Sequence, residues 1–381
     1  MSRAAILVLG MHRSGTSALT WLLGRLGAAL PRDAIEASGD NARGYWESQA
    51  LVKADDQLLR VVRSSWFDPR ALDFSRLSAD GLRSRKNRIR EAIESAWGDA
   101  PLLAIKDPRQ CRCVPVILDV LNEMRIEPRA LLMLRSPAEI ARSLASRDGT
   151  TPAYAHLLWL RHMIDAERAT RGLMRAVVDY DAMLGDWRGT MTRIAPLAGC
   201  EGWQADETEA SAIEAFLDPG LRHHRDAASE LEEPLTEIVR AVDEGLRGLI
   251  DADDANARER LDRAYALLDD KPWLEGDIVH DELRHRRMAP EISIEAEPAA
   301  AAAQPEPAPD PAGEADLIRN SGLFDRDYYL ARYPDVAESG LDPIDHYLQI
   351  GAAKGYDPNP LFDTGYYARQ MARRINGACA S

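Results

Sequence analysis

The sequence predicts an α/β fold, an open parallel sheet flanked by helices, and three observations predict it. Short, continuously apolar runs at 4–9, 102–105, 130–134 and 176–178 have the length and unbroken hydrophobicity of strands covered on both faces. Stretches with helical spacing of apolar residues lie between them, so strand and helix alternate up to about residue 225. The first run leads directly into Gly10-Met11-His12-Arg13-Ser14-Gly15-Thr16-Ser17 and a helical stretch at 18–26. A strand, a glycine-rich turn and a helix N-terminus in that order form an anion site, because backbone N–H groups and the helix dipole converge there.

The elements follow in chain order. The strand at 102–105 runs into Lys106-Asp107-Pro108-Arg109 and then a helix expected at 115–125. The strand at 130–134 ends in Arg135. Ser136 and Glu139 form a capping box there, with Pro137 in the first position of the helix 137–147. Ser143 lies two turns into that helix. A further helix, 151–170, carries His156 and His162 beside Trp159 and Met163, which suits core or rim positions better than ligands. Ligands in such folds bind at the carboxyl ends of the strands, where these charged residues fall.

Residues 226–288 read as a helical appendage, with Leu235, Ile238, Val242, Leu246 and Leu249 at helical spacing. The 289–315 segment is rich in Ala, Pro and Glu and has no Lys or Arg, so it reads as a linker that cannot bury enough apolar surface to offset chain entropy. In 316–381, Phe324-Asp325 with Tyr328-Tyr329 recurs as Phe362-Asp363 with Tyr366-Tyr367, which suggests a small, truncated helical repeat module. The expected division is therefore 1–225, 226–288, 289–315 and 316–381.

Bulk properties exclude several classes. A net charge of −15 argues against nucleic acid or an anionic membrane as the main partner, although a local basic pocket can still hold an anion. Cys111, Cys113, Cys200 and Cys379 have the spacing of neither a disulfide framework nor a zinc site, which points to a reduced, cytoplasmic location. No apolar run is long enough to span a membrane, and the N-terminal run reads as a buried strand and not a signal peptide.

The loop matches the phosphate-binding pattern G-x-x-x-x-G-K-[ST], except that Thr16 occupies the lysine position. Its cation is Arg13. Such a loop is a phosphate cradle for something other than a nucleoside triphosphate, with His12, Arg13, Ser14, Gly15, Thr16 and Ser17 as its candidate binding residues.

The chain resembles the sulfotransferases that use 3′-phosphoadenosine 5′-phosphosulfate (PAPS), above all the bacterial branch and the related tyrosyl-protein type. The resemblance rests on Arg13–Ser17 as R-S-G-T-[ST], Arg135-Ser136-Pro137 with Ser143 as the 3′-phosphate motif, Lys106-Asp107-Pro108, and Val178-Asp179-Tyr180-Asp181. It spans about residues 1–225. It implies PAPS as co-substrate without a metal, a 5′-phosphate held at residues 15–17, and a 3′-phosphate clamped by Arg135 and Ser143. It also implies Arg13 and Lys106 as the groups that stabilise charge at the sulfuryl centre, with Glu47 as general base. His12 competes with Glu47 for that role. Residues 221–225, Leu-Arg-His-His-Arg, form either a basic loop over the phosphates or a basic helix end. The aromatic repeats look like those attached to bacterial glycan-building transferases, which implies a carbohydrate acceptor and a protein or glycan partner for that module. Two other functions stay open: a nucleotide-dependent kinase with an altered loop, and an inactive scaffold that recruits partners through its C-terminal module.

Overall fold

Apolar strand sequences that carry no alternation bury both faces of a sheet, and this chain does so with four parallel strands. A computed structural model describes residues 3–37, 43–217, 231–250, 255–288, 315, 318, 324–359 and 364. The strands are β1 (Arg3–Leu9), β2 (Leu102–Lys106), β3 (Ile126–Leu134) and β4 (Met174–Asp179), in the order β2-β1-β3-β4. Register pairs Val8 with Lys106, Leu9 with Leu132 and Leu134 with Asp179, so the carboxyl ends of all four strands share one edge, with β3 and β4 running beyond β1 and β2. From β1 the chain crosses to β2 on one side, whereas from β3 it crosses to β4 on the other. The crevice at this switch point, between the ends of β1 and β3, receives the loop 10–17 and Arg135.

Successive side chains alternate across the sheet. Leu7, Leu9, Ile105 and Leu132 point to one core, packed by α2 (Gln49–Val61), α3 (Ala79–Trp97), α4 (Gln110–Glu123), α5 (Pro137–Asp148) and α6 (Pro152–Ala169). Ile6, Val8, Ala104 and Met133 point to the other, packed by α1 (Thr16–Arg25), α7 (Tyr180–Gly185), α8 (Trp187–Ile194) and α9 (Glu207–Phe216). Helices α10 (Leu235–Arg247), α11 (Ala255–Asp269) and α12 (Pro272–Met288) add Leu235, Ile238, Val242, Leu246 and Leu261 to the first core.

Two boundaries differ from expectation. Helix α4 starts at Gln110 instead of 115, because the Asp107 carboxylate accepts the Arg109 N–H (3.0 Å) and the Asp107 carbonyl accepts that of Gln110 (2.9 Å). Pro115 thus lies inside a helix. Strand β3 begins at Ile126 and not 130, since backbone pairing with β1 continues through the polar stretch 126–129.

The chain divides into two compact units, Met1–Ala289 and Pro290–Ser381. In the second, Tyr329 is fully buried among Phe324, Tyr333 and Tyr347, and its hydroxyl lies 3.0 Å from His346 Nδ1. The Tyr333 and Tyr356 rings stack at 3.9 Å. The aromatic residues of the second repeat lie outside the described residues, as do 221–225 and all of the 289–315 segment except Ala315.

Candidate active site

Close backbone approach shapes the loop. A Cβ at Gly10 would fall 2.8 Å from Ser14 Oγ, and one at Gly15 would be driven into the Tyr180 ring. Gly15 caps α1 with φ +94°, a conformation in which a side chain is strained. Arg13 takes φ +70° without being glycine. The Gly10 N–H donates to Cys111 Sγ (3.1 Å) and the Ser14 N–H to the Met11 carbonyl (3.1 Å). Ser14 Oγ is buried and has no hydrogen-bond partner. A cradle that side chains would fill, with an unsatisfied hydroxyl inside it at a helix N-terminus, fits a phosphate group. Thr16, at the lysine position of triphosphate loops, is only 3% exposed and turns into the fold.

The missing lysine comes from the neighbouring strand. Lys106, 3% exposed at the end of β2, reaches Ser17 Oγ (3.3 Å), the Tyr45 carbonyl (3.1 Å) and the Glu47 carboxylate. Glu47 is brought there by α2. Ser48 caps that helix, and the Glu47 carbonyl accepts the Ile35 N–H (2.8 Å). Trp46, just before it, is held at φ +58°. Backbone strain at both Arg13 and Trp46 marks the two sides of this junction. Burial raises the Glu47 pKa above the usual carboxylate range, with Lys106 opposing it and Asp107 adding to it. Arg109, expected either as a site cation or as a surface charge, is largely buried. It holds Asp56 (2.8 Å) and Asp107 (3.0 Å) and lies 3.9 Å from Glu47.

The 3′-phosphate candidates also converge, in an arrangement the sequence did not indicate. Ser143 is buried on α5 and accepts from Arg13 Nε (3.0 Å). Arg135 Nη1 donates to the Arg13 carbonyl (2.8 Å), its Nε to Glu139 (2.9 Å), and its guanidinium lies 4.6 Å over the Tyr180 ring. Arg135 therefore braces the loop as well as facing the crevice. Ser136 caps α5 by accepting the Glu139 N–H (3.5 Å). Asp179 caps α7 through Asp181 and Ala182, which places Tyr180 against Gly15.

His12 lies against Trp66, with ring centroids 4.3 Å apart, and its Nε2 is buried without a hydrogen-bond partner. Burial first, then the neighbouring charged groups, lowers its pKa well below the ordinary value. His156 and His162 are core residues whose Nδ1 atoms meet the carbonyls of Pro152 (2.7 Å) and Leu158 (2.8 Å). Burial pushes the Cys111 thiol up to about 12, so it is not a nucleophile. Among the described residues, no group of His, Cys, Asp and Glu could hold a metal ion.

The sequence reading missed Asp55 and Gln110 and gave Asp107, part of its Lys106-Asp107-Pro108 motif, no role of its own; all three are fully buried polar side chains. A signal existed for Asp55, which shares the apolar face of α2 with Leu51, Leu58 and Leu59. Beside them, Lys53, Asp56, Gln57 and Arg60 of α2, together with Ile35, Glu36, Ala37 and Val52, line an open groove of mixed character and about 700 Å³.

No protein-family profile and no curated protein matches the chain. Among solved structures, it is similar to the sulfotransferase domain of the Synechococcus PCC 7002 olefin synthase, with 16% identity and a TM-score of 0.36 over 63% of this chain and 94% of that one. It is also similar to a retinol dehydratase in complex with androsterone and inactive cofactor PAP, with 13% identity and a TM-score of 0.32 over 67% and 84%. Both likenesses are distant, and no chemistry passes from those proteins to this chain through them.

Proposed function

We propose that this chain is a sulfotransferase that moves a sulfuryl group from PAPS to an acceptor hydroxyl, most suitably that of a carbohydrate. One observation carries the reading: a phosphate loop without its own lysine meets a buried Lys106 from the next strand, paired there with Glu47. A triphosphate loop would hold its lysine within the loop, whereas here cation and carboxylate face each other across one reaction centre.

The donor, when bound, supplies an SO₃ group on a phosphate oxygen. The loop amides and Ser14 would hold the 5′-phosphate, and Arg135 and Ser143 would clamp the 3′-phosphate. Lys106 and Arg13 stabilise negative charge as it builds on the leaving oxygen, which is positional and electrostatic catalysis. Glu47, made more basic by burial, accepts the proton of the acceptor hydroxyl. The groove along α2 is linked to Glu47 through Asp56 and Arg109, and its charged side chains offer hydrogen-bond partners to a hydroxyl-bearing acceptor. The aromatic C-terminal unit, in this reading, binds a protein or glycan partner.

The test is transfer of labelled sulfate from PAPS onto a panel of glycans, peptides and lipids. Beside it, 3′,5′-phosphoadenosine should raise the melting temperature far more than ATP. Equal protection by both nucleotides, with no labelled product, would refute the proposal.

A further inference from the structure

Asp55 and Asp107 are fully buried neighbours, and three of their four carboxylate oxygens have no hydrogen-bond partner. Two buried carboxyl groups side by side, with no donor for their open oxygens, are relieved by a proton between them, since neither carboxylate has a hydrogen to donate. The surroundings decide where the proton sits. Asp107 Oδ1 accepts from the Arg109 backbone N–H and from its guanidinium, each at 3.0 Å. Asp107 Oδ2 has no donor, and neither does either oxygen of Asp55. The Gln110 amide faces Asp55 without closing a well-formed hydrogen bond, and the Cys113 thiol beside it is buried and neutral. Arg109 is the cation nearby, and it is already held by Asp107 and Asp56. Beyond Asp107 lie Glu47 and Lys106. An isolated buried carboxylate costs so much that it neutralises instead.

We propose that Asp55 is a positioning residue: it holds a proton and donates it to Asp107 Oδ2, so that Asp107 Oδ1 can fix Arg109 beside Glu47. One proton then satisfies the open oxygen of Asp107 and removes the repulsion between the pair. The alternation along the chain makes this arrangement. Lys106 turns toward α1 and meets Ser17, while Asp107 turns toward α2 and α4 and meets Asp55. The catalytic part of the inference rests on the sulfotransferase reading; the shared proton does not.

Infrared difference spectroscopy of the full chain at neutral pH tests the proton directly. Wild type minus Asp55→Asn should show one protonated-carboxyl C=O band, and Asp107→Asn should displace it. No band lost in Asp55→Asn, in a variant that melts normally, would overturn the proposal. The positioning role is read from the rate at which labelled sulfate is transferred from PAPS to the acceptor hydroxyl. Asp55→Ala should lose at least tenfold, and Asp55→Asn, whose amide can still donate to Asp107, should recover most of that loss. Equal loss in both variants would also overturn it. If the band disappears as expected while wild type transfers labelled sulfate to none of the acceptors of the panel, the shared proton stands and the sulfotransferase reading fails.

Discussion

Replacing Lys106 by Met tests the central pairing of the site. The ammonium is 3% exposed and has three acceptors: Glu47, Ser17 Oγ and the Tyr45 carbonyl. Without it, the buried Glu47 carboxylate keeps only Arg109 at 3.9 Å. Breaking a buried ion pair from one side costs about 3–5 kcal/mol. At roughly 2–3 °C per kcal/mol for a domain of this size, the melting midpoint should fall by about 6–15 °C. Adding Glu47→Gln removes the stranded charge, so the double variant should recover part of the loss, with a coupling of about 1–3 kcal/mol. The deficit should also depend on pH. Burial raises the Glu47 pKa above its unfolded value of 4.5, so the ionised group destabilises the fold above the folded pKa and ceases to do so as pH falls through it. The Lys106→Met deficit is therefore largest at neutral pH and shrinks toward pH 4.5. Urea unfolding followed by circular dichroism measures all three variants. A single-variant loss under about 1 kcal/mol, or strictly additive losses, would show that the pair is not a buried, mutually dependent one.

Arg13→Ala should lower the rate of sulfate transfer by roughly 10²–10³-fold, because it removes one preorganised donor at the reaction centre, while the melting temperature moves little. Arg135→Ala should weaken 3′,5′-phosphoadenosine binding in calorimetry and also lower stability, since Arg135 holds the Arg13 carbonyl; an unchanged melting curve would contradict that bracing. Gly15→Ala should abolish binding of the same nucleotide, because φ +94° and the Tyr180 ring both exclude a methyl group. Glu167→Gln, which leaves Arg171 and Arg175 without their shared buried carboxylate, should cost about 3–5 kcal/mol in denaturant unfolding. Burial lowers the His162 pKa from 6.5 to about 3, so the unfolded chain takes up a proton there before the folded one does. Stability from this group is complete above pH 6.5 and is lost as pH falls toward 3; His162→Gln should flatten that limb of the stability profile.

What the sequence made legible was local. The loop, the strand ends at Lys106 and Arg135, and the Ser136 cap all follow from short patterns whose chemistry sits within a few residues. The partnerships were not legible. Ser143 was expected beside Arg135, but the two come together only through Arg13, since one helix turn decides which arginine the hydroxyl meets. The stretch 126–129 reads as polar chain, yet backbone pairing to β1, which no side-chain pattern encodes, makes it strand. Asp55 was visible as an acid on an apolar helix face, but its meaning depends on Asp107, which arrives from a different element.

The pairing of Val8 with Lys106 has a consequence for when the site comes into being. Loop and cation belong to segments nearly a hundred residues apart, joined by a ladder of backbone bonds and by no direct chain connection. A slip of one residue in that ladder would turn Lys106 to the opposite face and bury its charge among Leu7, Leu9 and Leu132. In the proposed reading, assembly of the site is thus set by strand register: a chain whose first helix and loop have already formed still lacks the Lys106 pairing until β2 docks in its proper frame. Recovery of sulfate transfer during refolding should then lag behind helix formation and coincide with closure of the sheet.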